Sequence, residues 1–178
     1  MLHPADFLSP EQEKARYELH NNDVNDPKYQ AFVAPVADDI KGNFNPEHEG
    51  LDFGCGTGPV ITKLLRDEHY NIVTYDPFFC NDTGVLNSEY DYIVCCEVIE
   101  HFTHPAKEFM LLKSLLKPGG YLYCMTELFH EDLNFSQWYY KNDETHAFFY
   151  HHKAIQWIKT TFNFTDVIIS GRLIKFKA

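Results

Sequence analysis

Short apolar runs alternate with stretches of helical spacing along most of this chain, the signature of strands and helices taken in turn. Gly50 to Phe53 ends one such run, Asn71 to Tyr75 forms a second, Asp91 to Cys96 a third and Tyr121 to Thr126 a fourth. Between them, Pro59 to Leu65 begins as a helix with proline in its first turn. His104 to Lys117 carries Phe109, Met110, Leu112, Leu115 and Leu116 at helical spacing before Pro118-Gly119-Gly120 stops it. Tyr150 to Thr161 reads as the last long helix, and Phe164 to Ser170 with Arg172 to Lys177 as a hairpin turned at Gly171. The alternation predicts an α/β fold, a mostly parallel twisted sheet flanked by helices with a C-terminal antiparallel hairpin at its edge.

Two further helices precede the first strand. Ser9-Pro10-Glu11-Gln12-Glu13 has the cap, the proline and the first-turn acids of a helix start, and that helix is expected to run to about His20. Asn21 to Pro27 is dense in turn formers, and Lys28 to Lys41 returns to helical spacing. No repeat, low-complexity run or linker interrupts the pattern, so residues 1–178 read as a single domain.

Composition narrows the function classes. Hydrophobic residues make up 44% of the chain, enough for a real core. The formal charge of −11 disfavours a general nucleic-acid binder, whose phosphate contacts need a basic face, and points to a small molecule or a protein as substrate rather than a polyanion. Five scattered cysteines form neither a disulfide framework nor a zinc spacing, which fits a reducing, cytoplasmic setting. No apolar run is long enough to span a membrane, and Met1 to Pro10 lacks the basic and apolar segments of an export signal.

The chemistry centres on Asp52-Phe53-Gly54-Cys55-Gly56-Thr57-Gly58, a glycine-rich turn between a strand and a helix. Glycines let such a turn form and let a ligand lie against bare main chain. The dinucleotide fingerprint fails here, because its third glycine falls on Pro59 and Gly58 comes one residue early. Asp76 ends the second run 22 positions after Gly54, close to the separation at which an acid meets a ribose hydroxyl; the alternative is that it only caps the turn at Pro77, which Phe78 and Phe79 follow.

These residues resemble motif I of the class I S-adenosylmethionine (SAM) dependent methyltransferases, acidic-x-Gly-x-Gly-x-Gly, and the later Leu116-Lys117-Pro118-Gly119-Gly120 resembles a structural marker of the same family. The resemblance implies a Rossmann-like methyltransferase fold and SAM as cofactor. It implies cofactor contacts from Asp52, Gly54, Cys55, Gly56, Gly58, Asp76, Pro77, Phe78 and Cys96, with Phe78 or Phe79 stacking on adenine. Residues 1–45 would cover the cofactor, and an aromatic-rich insert at 127–150 would form the acceptor lid. Only fourteen residues, 77 to 90, separate the second and third runs, so the family's third strand must be shortened or lost, with Asp82 the nearest acid left to meet the adenine end.

On a helical turn Glu97, Glu100 and His101 would share one face, two carboxylates beside an imidazole. The segment resembles the divalent-metal site of ubiquinone-biosynthesis O-methyltransferases and of small-RNA 2′-O-methyltransferases, with His146 standing where the RNA enzymes place a further ligand. That resemblance implies a metal set of Glu97, Glu100, His101 and His146, for which oxygen and imidazole donors suit Mg, Mn, Fe or Zn. Without metal, His101 or His146 is the general base and Glu97 contacts the ligand. The expected activity is methyl transfer to a small-molecule acceptor at oxygen. The alternatives are a metal-assisted RNA 2′-O-methyltransferase and a non-catalytic SAM-binding protein.

Overall fold

The computed structural model describes residues 1–19 and 22–178. His20 and Asn21, the expected end of the first helix and start of the following loop, lie outside the described residues. Helix α1 spans Pro10–Glu18, closed at its start by a Ser9–Gln12 capping box, and α2 spans Pro27–Asn43 behind an Asp26 cap. The sheet strands are β1 (Glu49–Phe53), β2 (Asn71–Tyr75), β3 (Tyr90–Cys96), β4 (Leu116–Met125), β5 (Asp166–Ser170) and β6 (Leu173–Lys177). Between them lie α3 (Val60–Asp67), α4 (Pro105–Ser114) and α5 (His152–Thr161).

Period-two alternation in β3 divides the core into two layers. Ile93 and Cys95 face α4 and α5, meeting Phe109, Leu112, Ile155 and Ile158, while Tyr92 and Val94 face α2 and α3, meeting Val36, Ile40, Ile61 and Leu65. The six strands run β2-β1-β3-β4-β6-β5, with β1 to β4 parallel and β6 antiparallel to both β4 and β5. Strand order reverses between β1 and β3. In open sheets of this kind a ligand crevice forms at that point, beyond the strands' carboxyl ends.

Residues 77–89 form no strand. Asp76 and Cys80 make a single bridge, a 3₁₀ turn follows at Thr83–Asn87, and β2 is left as the sheet edge. Helix α4 stops at Ser114, three residues short of the expected Lys117, because Leu116 already pairs with Tyr90 and the Lys117 amine reaches Glu49 and Asp91 at 2.8 and 2.9 Å. Helix α5 starts at His152 because His151 caps it, accepting the Lys153 amide. Among the described residues no helix is long and apolar enough to cross a membrane.

Candidate functional site

A cavity of about 770 Å³ opens at the switch point, within the range of small-molecule sites. Its floor is the β1–α3 loop. Gly54 and Cys55 donate to the Tyr75 carbonyl at 2.8 and 3.2 Å, and Gly56 donates to Asp76 Oδ2 at 3.0 Å. Asp76 Oδ1 accepts from the amides of Phe78 and Phe79 at 2.8 and 3.1 Å. One buried carboxylate thus ties the glycine loop to the turn after β2. Gly54, at φ +79°, packs so tightly that a Cβ would stand 2.6 Å from Val98, and a Cβ on Gly58 would stand 1.8 Å from the Asn22 carbonyl. The N-terminal segment therefore lies directly on the loop. Tyr17 of α1 continues that cover, edge-on to His101 at 5.3 Å and tilted against Phe78 at 5.9 Å.

Beyond β3 the chain builds the opposite end. Glu97 adopts φ +52°, and only Ile99–His101 form a 3₁₀ turn, so Glu97 does not share a helical face with Glu100 and His101 as its spacing suggested. Arg172, just past the Gly171 turn of the final hairpin, claims it instead. Its guanidinium reaches Glu97 Oε2 at 2.5 Å and Glu127 Oε2 at 2.6 Å, and stacks over Tyr140 and Phe32 at 5.2 and 5.4 Å. Glu127 also accepts from Trp138 Nε1 at 2.6 Å and the Tyr139 hydroxyl at 2.5 Å. The Tyr140 hydroxyl donates to Glu100. Burial, with the neighbouring Glu100, raises Glu97 to about 7; burial raises Glu100 to about 7 against the Tyr140 hydrogen bond. Burial also raises the Cys55 and Cys96 thiols, so both stay neutral near pH 7 and neither offers a thiolate.

Glu100, His101 and His146 each bring one metal-capable atom, all within 4.8 Å of one another. The Nδ1 atoms of His101 and His146 face the carbonyls of Thr145 and Tyr140 at 3.1 and 2.7 Å. A carbonyl only accepts, so each Nδ1 carries a proton, and in the neutral ring Nε2 carries the lone pair. Metal-bound imidazoles are oriented in this way, and buried Glu100 Oε2 has no hydrogen-bond partner. Two imidazoles and a carboxylate fit a divalent ion of the zinc or iron type. Glu97 stands outside that group, in the grip of Arg172.

With this geometry in place, the family model described as Methyltransferase domain matches residues 20–168. The chain belongs to that family. Its relatives include the ubiquinone biosynthesis O-methyltransferases of Rickettsia bellii, 30% identical over 48% of this chain and 45% of that one, and of Haemophilus ducreyi, 33% identical over 33% and 25%. The chain therefore spans less than half the length of these curated relatives. Among solved structures, a SAM-dependent methyltransferase from Archaeoglobus fulgidus superposes with a TM-score of 0.64 at 17% identity, covering 84% of this chain and 93% of that one. Phosphoethanolamine N-methyltransferase 2 of Haemonchus contortus, in complex with SAM, gives 0.63 at 17%, over 96% and 46%. Both show the same Rossmann-like fold, which the chain shares.

Within the methyltransferase domain, the cavity wall includes Gly54, Cys55, Gly56, Asp76, Pro77, Phe78, Cys96, Glu97, His101 and His146. Gly58 and Asp52 are not part of it. Gly58 lies beneath Asn22, and the Asp52 carboxylate points behind the loop to the Thr62 hydroxyl at 2.7 Å. Burial raises Asp52 to about 6, opposed by that hydrogen bond. The folded state thus binds its proton more tightly than the unfolded chain, so Asp52's contribution to stability falls as pH rises from its ordinary 3.8 through about 6. Asp52→Asn is expected to stabilise the protein by about 1–3 kcal/mol near pH 8 and to lose that advantage below about pH 4, as denaturant midpoints across pH would show.

Proposed function

We propose that this chain is a SAM-dependent methyltransferase acting on an oxygen of a small-molecule acceptor. The observation that carries the reading is the cavity at the switch point, floored by a glycine loop that Asp76 fastens, in a chain of the methyltransferase family. Gly54, Cys55 and Gly56 would present bare main chain to the methionine tail, Asp76 with Pro77 would meet the ribose, Phe78 or Phe79 would stack on adenine, and Cys96 would border the sulfonium. The loss of a strand between Asp76 and Tyr90 leaves those two aromatics as the chief cover for the base.

In this mechanism the acceptor oxygen attacks the methyl carbon in line as the carbon–sulfur bond breaks, yielding S-adenosylhomocysteine. The cavity would hold the two partners in line. Without a metal, the acceptor's proton passes to Nε2 of His101 or His146, each held in the proton-accepting tautomer by a carbonyl behind it. Where a divalent ion is bound, Glu100, His101 and His146 would hold it, and it would lower the pKa of a coordinated hydroxyl. Oxygen as the target follows the ubiquinone biosynthesis O-methyltransferases among the relatives.

Transfer of a labelled methyl group from SAM to catechol tests the proposal, with His101→Ala and His146→Ala each expected to lower the rate by about 10²-fold. Labelled product on a short RNA but not on catechol would favour the RNA alternative. SAM binding without product on any acceptor would favour the non-catalytic one.

A further inference from the structure

The charges on the cavity wall are lopsided. Glu13, Asp76, Glu97, Glu108 and Asp143 line it, and Arg16 is the one Lys or Arg on the wall among the described residues. That cation is already engaged. Arg16 reaches from α1 across the cavity mouth to Asp143 Oδ2 at 2.7 Å, with both side chains largely covered. The carboxylate of SAM's own tail would lie against the bare main chain of the glycine loop, but an acceptor's carboxylate or phosphate would meet a field of its own sign and, among the described residues of the wall, no available Lys or Arg, while losing its water. A flat, uncharged or cationic molecule meets no such barrier, and the wall supplies faces for it in Tyr17, Phe32, Tyr139 and Tyr140.

We propose that the acceptor is an aromatic compound carrying no anionic group, and that Asp143 sets this selectivity by holding Arg16. The inference rests on the methyltransferase reading and goes further, since it names the acceptor class and the residue that enforces it. Asp143 is built for the task. Its Oδ1 accepts from the Thr145 amide and hydroxyl at 3.1 and 2.6 Å, which fixes the carboxylate beside His146 and leaves Oδ2 toward Arg16. Asparagine in its place keeps an oxygen for Thr145 but removes the charge and presents Arg16 with another donor. The freed guanidinium then becomes an anion site.

Titration calorimetry on protein loaded with S-adenosylhomocysteine tests this with catechol, dopamine and 3,4-dihydroxybenzoate, probes matched in ring and hydroxyls but not in charge. Catechol and dopamine are expected to bind at least about tenfold more tightly than the benzoate. Asp143→Asn should narrow that ratio by about fivefold or more, and Asp143→Asn with Arg16→Met should restore it. Equal binding of the benzoate and catechol to the wild type would overturn the proposal. So would an unchanged ratio in Asp143→Asn, or binding of none of the three probes to protein that does take up S-adenosylhomocysteine. Failure to bind S-adenosylhomocysteine itself would instead strike the methyltransferase reading, and the two failures are thereby distinct.

Discussion

Gly54→Ala is expected to weaken SAM binding by about a hundredfold or more, with the helix and strand signals of the fold preserved. Two costs act together at this position. At φ +79° an L-residue is strained by about 1–2 kcal/mol, and the added methyl would stand 2.6 Å from Val98, a branched side chain with little freedom to turn away. The loop must shift to relieve them, yet the Gly54 and Cys55 amides are tied to Tyr75 and the Gly56 amide to Asp76. Any shift therefore moves the very main chain the ligand would lie on. Gly58→Ala acts from the other side, because its methyl would collide with the Asn22 carbonyl and lift the N-terminal cover from the loop. Calorimetric titration of both variants checks the prediction, and wild-type affinity in Gly54→Ala would refute the loop's assigned role.

The second large effect is expected at Arg172. This guanidinium grips Glu97 and Glu127 and lies against Tyr140 and Phe32, so it stands behind four side chains that shape the acceptor end while its own exposure stays low. Arg172→Ala would leave two carboxylates without their cation and the aromatic wall without its backing. The expected loss in kcat/KM is about 10²-fold, or about 2.7 kcal/mol, with SAM affinity changed by less than about threefold. Arg172→Lys should recover less than about tenfold of it, because a single ammonium cannot fork between two carboxylates and lie flat on a ring. Full activity in the lysine variant would show that charge alone matters there and that the forked geometry does not.

The parts of this molecule that were legible in its sequence are those set by local periodicity. The β1 strand, the glycine loop and α3 follow from the order of apolar residues and glycines within a few positions, and Asp76 stands just past the end of β2, where its carboxylate meets the Gly56 amide. The lost strand was legible too, because fourteen residues cannot hold it. What escaped depends on direction or on distant partners. Spacing alone does not say which way Asp52 points, and it turned out to face Thr62 inside the protein. Helical spacing grouped Glu97 with Glu100 and His101, but the backbone at Glu97 is left-handed, and its carboxylate meets Glu100 only through the shared Tyr140 hydroxyl while Arg172 holds it. Its partner Arg172 lies 75 residues away and looked like an ordinary residue after a hairpin glycine. The signal that could have found it is topological. A strand antiparallel to β4 starts at β4's carboxyl end, so the residue at that hairpin tip arrives at the site.

The proposed function requires the cavity at the β1–β3 switch point to be a SAM site. Titration of SAM into the wild-type protein by calorimetry tests this most directly. One site per chain, with a dissociation constant in the micromolar range and competition by S-adenosylhomocysteine, is expected. A flat titration with both ligands, on protein whose circular dichroism shows the folded α/β domain, would contradict it.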